Sequence, residues 1–187
     1  MTIQPATPQH APVIASAVMM AVGDEICNSF AAPDHTVDDV HRLFTHLAAL
    51  DDSQYSYRNT LVALDDNGNV AGVCIGYDGA LLHPLRSRFF EAAKAILNRD
   101  MEGMTDETSP DEFYLDTLAV MPQHRGKGIG SSLLMAMAER ARSLGKPAAL
   151  LVDKDNPKAE ALYRSLGFIY IDDRPFAGVY MSHMRLI

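Results

Sequence analysis

The amino-acid sequence predicts an α/β protein, and three observations carry that prediction. An apolar, β-prone run from Phe113 to Val120 passes through a glycine-rich turn into an amphipathic segment, Ser131 to Leu144, which reads as strand, turn and helix. Asn67-Gly68 stands between two β-prone runs, Asn59 to Leu64 and Val70 to Tyr77, and is the strongest hairpin signal in the chain. Helix starts alternate with strands elsewhere, at Thr36 and again at Asn156-Pro157. A length of 187 residues fits one domain spanning 1–187, large enough to bury a substantial core without staples.

Taken in order, Thr2 to Ala6 is a short strand, and Thr7-Pro8 opens a helix reaching about Val22, with Ile14, Ala17, Val18 and Ala21 on one face. Residues 23–35 read as a loop. Thr36 can cap a helix whose capping-box position holds Asp39, and Val40, Leu43, Phe44, Leu47 and Leu50 form its apolar stripe to about Asp51. After the hairpin, His83-Pro84 leads into a helix over about Leu85 to Asn98, followed by an acidic loop from Asp100 to Glu112. Residues 78–112 therefore read as a helical and acidic-loop insertion. Gly145-Lys146-Pro147 stops the helix that follows the glycine turn. Ala148 to Val152 is a strand, and Asn156 caps a helix with Pro157 at its first position and Gly167 at its end. Phe168 to Ile171 and Val179 to Ile187 are strands expected to pair across Asp172-Asp173-Arg174-Pro175.

Composition narrows the partners. A hydrophobic fraction of 48% with 21% charged residues is that of a globular protein and argues against disorder. The net charge of −8 disfavours nucleic acid. Residues 125–164 nevertheless hold eight Lys/Arg against four Asp/Glu, a local +4 that leaves −12 for the remainder. Such a division suits a polyanionic ligand near the glycine turn and a cationic one elsewhere, or else solvated helix faces. From Asp100 to Asp116 there are seven carboxylates and no Lys or Arg, which reads as a solvated loop or as the lining of a site for an amine. Cys27 and Cys74 show neither metal-ligand spacing nor a disulfide framework, and His41 and His46 are five apart, so no metal is expected. The start Met-Thr-Ile-Gln-Pro lacks a leader pattern and no apolar run reaches ~20 residues. The expectation is a cytoplasmic protein with no membrane contact.

The turn Arg125-Gly126-Lys127-Gly128-Ile129-Gly130 carries the chemistry. A strand, glycine-rich turn and helix aim several backbone N–H groups and a helix dipole at one point, as a pyrophosphate requires. Glycines remove Cβ atoms where the anion must approach the main chain, and Arg125 and Lys127 add charge. A Walker loop would need four residues between two glycines and then Lys-Ser or Lys-Thr, which this turn lacks. A dinucleotide fingerprint would need glycine where Ser131 stands. A turn that merely joins strand to helix is the bland alternative. Arg125-x-x-Gly128-x-Gly130, five residues after a strand ending Leu118-Ala119-Val120, resembles the GNAT superfamily of acetyl-CoA-dependent N-acetyltransferases. The resemblance is specific over residues 113–168 and topological before residue 78.

It implies a mixed, twisted sheet flanked by helices in three layers, α/β/α, and acetyl-CoA as co-substrate with no metal. It also implies direct attack of an amine on the thioester, without a covalent intermediate. Backbone groups of Leu118 and Val120 would run beside the pantetheine. Arg125, Gly126, Lys127, Gly128, Ile129, Gly130 and Ser131 would surround the pyrophosphate, and a main-chain N–H near Val120 would face the thioester oxygen. In Asn156-Pro-Lys-Ala-Glu-Ala-Leu-Tyr163, Asn156 would bond the pantetheine arm and Tyr163 would protonate the departing thiolate. The two are seven apart, on one helical face; a cap and a core tyrosine are the alternative.

A base is less evident. Many family members carry a glutamate on the central strand or the next, whereas Leu151 and Val152 fill the next strand here. Asp116 is the remaining candidate, sharing a face with Tyr114 and Leu118 if the strand alternates regularly, so that desolvation could raise its pKa. A paired Asp116, with water relaying the proton, is the other option. The expectation is an N-acetyltransferase acting on a primary amine, a cationic one fitting the acidic remainder. A non-catalytic acyl-CoA-binding module of the same fold is the rival reading, and a homodimer is compatible with either.

Overall fold

A computed structural model describes residues 1–31, 33–176 and 178–186. Seven strands form one sheet in the order β1-β2-β3-β4-β5-β7-β6. Their bounds are β1 Thr2–Pro5, β2 Thr60–Leu64, β3 Val70–Asp78, β4 Phe113–Val120, β5 Ala148–Asp153, β6 Ile169–Phe176 and β7 Val179–Leu186. Neighbours run antiparallel except β4 and β5, so the sheet is mixed, as the resemblance implied. Helices α1 (Ala11–Val22), α3 (Val37–Ala49) and α4 (Leu82–Leu97) enclose one core with one face of the sheet. Helix α5 (Ile129–Ser143) packs on the other face, with α6 (Pro157–Ser165) beside it. No single helix among the described residues is long and apolar enough to cross a membrane.

Several local signals have the expected physical form. Thr36 N–H donates to Asp39 Oδ2 at 2.8 Å while Asp39 N–H donates to Thr36 Oγ1 at 3.3 Å, a reciprocal capping box at the start of α3. Asp65 Oδ1 accepts from the N–H groups of Asn67 and Asn69, which folds the β2–β3 turn around Gly68. Gly76 lets α5 lie close to β3: a Cβ there would stand 2.7 Å from the Phe113 ring and 3.0 Å from Met137 Cγ.

Three expectations need correcting. Residues 23–35 hold an additional helix, α2 (Asp24–Ala31), set off from α1 at Gly23, whose φ is +86°. Asp24 and Glu25 occupy its first turn, where carboxylates oppose the dipole, but its buried face is only Cys27 and Ala31, too narrow a stripe to read from sequence. Helix α4 begins at Leu82 rather than Leu85, because Pro84 falls in the first turn, where no N–H is required. Asp172-Asp173-Arg174-Pro175 is strand, not turn. β6 runs through it, pairing Asp172 with His183 and Pro175 with Tyr180, as an outer strand permits. Ile187, expected in the last strand, lies outside the described residues.

Candidate active site

β4 and β5 are in register only at Phe113 with Ala148 and Tyr114 with Ala149. Beyond that point the two strands part, leaving the β5-side edge of β4 without a partner strand. Its hydrogen-bonding direction can be followed residue by residue. Met121 N–H donates to Ala71 O, toward β3. By the alternation of an antiparallel ladder, the N–H groups of Val120 and Leu118 then point into the gap. Phe113 N–H also points toward β5, donating to Pro147 O at 2.9 Å, although it differs from Val120 by an odd number of residues.

The mismatch is absorbed at Asp116. Gly76 pairs with Leu115 and Ile75 with Thr117, so Asp116 is the extra residue of a β-bulge. Side-chain facing changes there too. Phe113 and Leu115 pack with α5 before the bulge, and Leu118 and Val120 after it, while Tyr114 packs with Tyr77 and Leu82 on the opposite face. The expectation that Asp116 shares a face with both Tyr114 and Leu118 is thus corrected: it lies on the Tyr114 side.

At the far end of β4, Gly126 and Gly128 adopt φ of +74° and +76°, a left-handed backbone that Cβ-bearing residues resist. Among the described residues, no backbone acceptor serves the N–H groups from Gly126 to Ser131. They converge at the positive end of α5, a nest suited to a polyanion. Ile129, the first residue of α5, anchors the turn by burying its side chain against β3. Arg125 bends back, its Nε donating to Val120 O at 3.1 Å, while exposed Lys127 makes no ion pair among the described residues. Gly130 is not demanded by packing, since a Cβ there would meet Val120 and Leu118 at ordinary distances of 3.5 and 3.6 Å.

Asn156 caps α6, its Oδ1 accepting from Ala159 N–H at 3.1 Å, which leaves the amide nitrogen free to donate to a ligand. Two turns on, Tyr163 packs beside Phe168, ring centroids 6.0 Å apart. Its hydroxyl has no hydrogen-bond partner among the described residues, and burial, reinforced by Cys74, pushes its pKa up to about 12. Tyr163 therefore stays protonated and can donate to a developing anion. It belongs to the α5 side of the sheet and Asp116 to the other, so the two predicted catalytic residues flank the gap from opposite faces. Tyr114, where the gap opens, lies within electrostatic reach of both.

Asp116 remains partly accessible yet is largely surrounded by protein, and lost hydration raises its pKa to about 6. Thr117 Oγ1 donates to its Oδ1 at 2.8 Å, and Tyr77 Oη lies 3.4 Å from its Oδ2. Tyr77, Gln54 and Arg86 around it were not singled out from the sequence. They come from β3, the segment after α3, and α4, and no spacing along the chain relates them.

Four carboxylates of the acidic loop, Asp106, Glu107, Asp111 and Glu112, are paired, whereas Asp100 and Glu102 are exposed. Glu112, fully buried, accepts from Thr108 Oγ1, Ser109 N–H, Arg174 Nη1 and Arg185 Nε, and lies 3.0 Å from His183 Nε2. Although burial opposes ionisation, the His183, Ser109 and Thr108 bonds outweigh it and hold its pKa well below the carboxylate range. Asp111 pairs with Arg185, Asp106 with Arg86 and Glu107 with Arg86. Glu112 is a tie between this loop and the β6–β7 hairpin. No group of His, Cys, Asp and Glu among the described residues is arranged to hold a metal ion.

Comparison with known proteins gives one family. The family model described as the Acetyltransferase (GNAT) family matches residues 24–168. A crystal structure of an acetyltransferase is 31% identical, with a TM-score of 0.82 over 99% of this chain and 98% of that one. The crystal structure of an N-acetyltransferase from Staphylococcus aureus Mu50 is 23% identical, with a TM-score of 0.79 over 99% of this chain and 100% of that one, a likeness of fold. The N-alpha-acetyltransferase RimI of Mycobacterium tuberculosis is 44% identical over 61 residues, 33% of this chain and 37% of that protein. The chain thus matches little more than a third of the length of that curated relative.

Proposed function

The chain belongs to the GNAT acetyltransferase family, and we propose that it transfers the acetyl group of acetyl-CoA to a primary amine by direct attack. The observation that carries this reading is the coincidence of two features on β4. A gap toward β5 opens along its C-terminal half, and free N–H groups cluster just beyond its end. An extended ligand with a polyanionic end fits that pair of features, and acetyl-CoA is such a ligand.

In this reading the N–H groups from Gly126 to Ser131 hold the pyrophosphate, with Arg125 and Lys127 lending charge. Leu118 and Val120 pair with the pantetheine amides through the main chain, and Asn156 donates from its amide nitrogen. A main-chain N–H near Val120 faces the thioester oxygen, where negative charge grows in the transition state. Nitrogen attacks the carbonyl carbon and the C–S bond breaks. Asp116 accepts the proton lost by nitrogen, its pKa of about 6 leaving it ionised at neutral pH yet more basic than an ordinary aspartate. Tyr163 donates a hydrogen bond to the departing sulfur from the opposite face. No cysteine takes part, and the two free, buried thiols fit a reducing compartment such as the cytoplasm.

A cationic acceptor would find Asp106, Glu107, Asp111 and Glu112 already paired, so we place its recognition on Asp116 rather than on these four. Incubation with acetyl-CoA and a library of primary amines, read as released free thiol, tests the reading. Amine-dependent thiol release abolished by Asp116→Asn supports it. Acetyl-CoA binding by calorimetry without turnover on any amine would favour a non-catalytic acyl-CoA-binding module.

A further inference from the structure

Asp116 shares a hydroxyl with a second carboxylate. Tyr77 Oη lies 2.9 Å from Glu107 Oε1 and 3.4 Å from Asp116 Oδ2. A phenol has one proton, so only one of the two carboxylates can receive it. The shorter contact goes to Glu107, a buried side chain that Arg86 holds through the other oxygen, Oε2. Arg86 is in turn fixed by Asp106 Oδ1 at 3.0 Å and by the carbonyl groups of Met104 and Thr105 at 3.2 Å each. Rotating Glu107 away would break its buried ion pair with Arg86. With its proton on Glu107, Tyr77 would turn its lone pairs toward Asp116, an arrangement that serves a protonated Asp116, which can donate to Tyr77 Oη, better than an ionised one.

We propose that Glu107 is a positioning residue for acetyl transfer: by holding the Tyr77 proton it keeps Asp116 short of a hydrogen-bond donor, so that Asp116 takes the proton of the attacking amine. This rests on Asp116 being the proton acceptor of the reaction. The proton passes from the substrate nitrogen to Asp116, and Tyr77 Oη accepts a hydrogen bond from the neutral acid. The other titratable groups around Asp116 are Cys74 on β3, Tyr55 from the segment after α3, Tyr114 on β4 and Arg86 on α4. Arg86 favours ionised Asp116, as do the neutral side chains of Thr117 and Gln54, but its guanidinium is committed to Glu107 and Asp106.

Carbon-detected NMR titration of the free protein tests this without an acceptor, the Asp116 carboxyl signal being assigned by its loss in Asp116→Asn. In Glu107→Gln, Arg86 is a pure donor and must face the amide oxygen, so the amide N–H₂ faces Tyr77 and the Tyr77 proton is released to Asp116. Asp116 should then become at least tenfold more acidic, and more so than when Glu107→Gln is made in a Tyr77→Phe background, where the lost Glu107 charge acts without a Tyr77 proton; an equal shift in both overturns the proposal. An unchanged or weaker acidity in the folded variant overturns the proposal. Tyr77→Phe leaves the Glu107–Arg86 pair intact and decides the matter if Glu107→Gln does not fold. Asp116 should stay as it is or become more acidic, whereas a weaker acid would mean that Tyr77 had been donating to Asp116, and the proposal fails. Acetyl transfer retained by Asp116→Asn would instead reject Asp116 as the acceptor of the amine proton, a separate outcome from either titration.

Discussion

Asp116→Asn should make the protein more stable while removing its activity, and the size of the gain should depend on pH. Burial raises the Asp116 pKa from 3.8 to about 6. Between those values the folded chain keeps a proton that the unfolded chain releases. Stability therefore falls as pH rises through that window, and above pH 6 the full penalty is present. A difference of this size corresponds to ~3 kcal/mol. Asparagine keeps the volume and an oxygen for Thr117 Oγ1 but never ionises, so it escapes the penalty. Whatever fixed amount the new amide adds or removes, the variant should gain ~2.4 kcal/mol on the wild type between pH 4 and pH 7.5, the part of the span that lies above pH 4. That is roughly 5–10 °C in Tm for a chain of this length. Urea denaturation of both proteins across that pH range measures it. A stability difference that stays flat from pH 4 to 7.5 would refute the desolvation of Asp116, and with it the physical basis for its role as a base.

Gly128→Val places a branched side chain at φ +76° and over the free N–H groups of the turn, and should weaken acetyl-CoA binding more than tenfold by calorimetry on the folded variant. Unchanged affinity would move the phosphate site elsewhere. Tyr163→Phe should bind acetyl-CoA normally and lose kcat by ~10²-fold or somewhat less, because a phenol held near 12 aids the thiolate mainly as a hydrogen-bond donor. Full turnover when chemistry limits the rate would make Tyr163 a packing residue. Glu112→Gln should destabilise the fold by ~3–5 kcal/mol at neutral pH, since it leaves Arg174, Arg185 and His183 facing a neutral amide. The Glu112 carboxyl is held below its ordinary 4.5, so its stabilising contribution is present above that pH and declines as acid is added. A change below ~1 kcal/mol in urea unfolding, the range of exposed ion pairs, would mean that the cluster is solvated.

What the chain determined locally could be read locally. The capping box of Thr36 and Asp39, the Asn67-Gly68 turn, the Asn156 cap with Pro157, and the glycines at 126 and 128 are each specified within a few residues. Their physics is a single hydrogen bond or a single backbone angle, and the strand, turn and helix around the candidate site follow from them. Tertiary structure decided the remainder. The bulge that re-aims Asp116 exists only as a register between β3 and β4, and the gap along β4 only as a divergence from β5. Glu112 looked like one more carboxylate of a solvated loop, until β6 and β7 brought Arg174, His183 and Arg185 to it from more than sixty residues away. The pairing of Tyr77 with Glu107 and Asp116 likewise joins three segments that share no period or spacing. Burial changes what an ionisable side chain can do, and burial is conferred by neighbours distant in sequence, so composition could assign these carboxylates a charge but not a role.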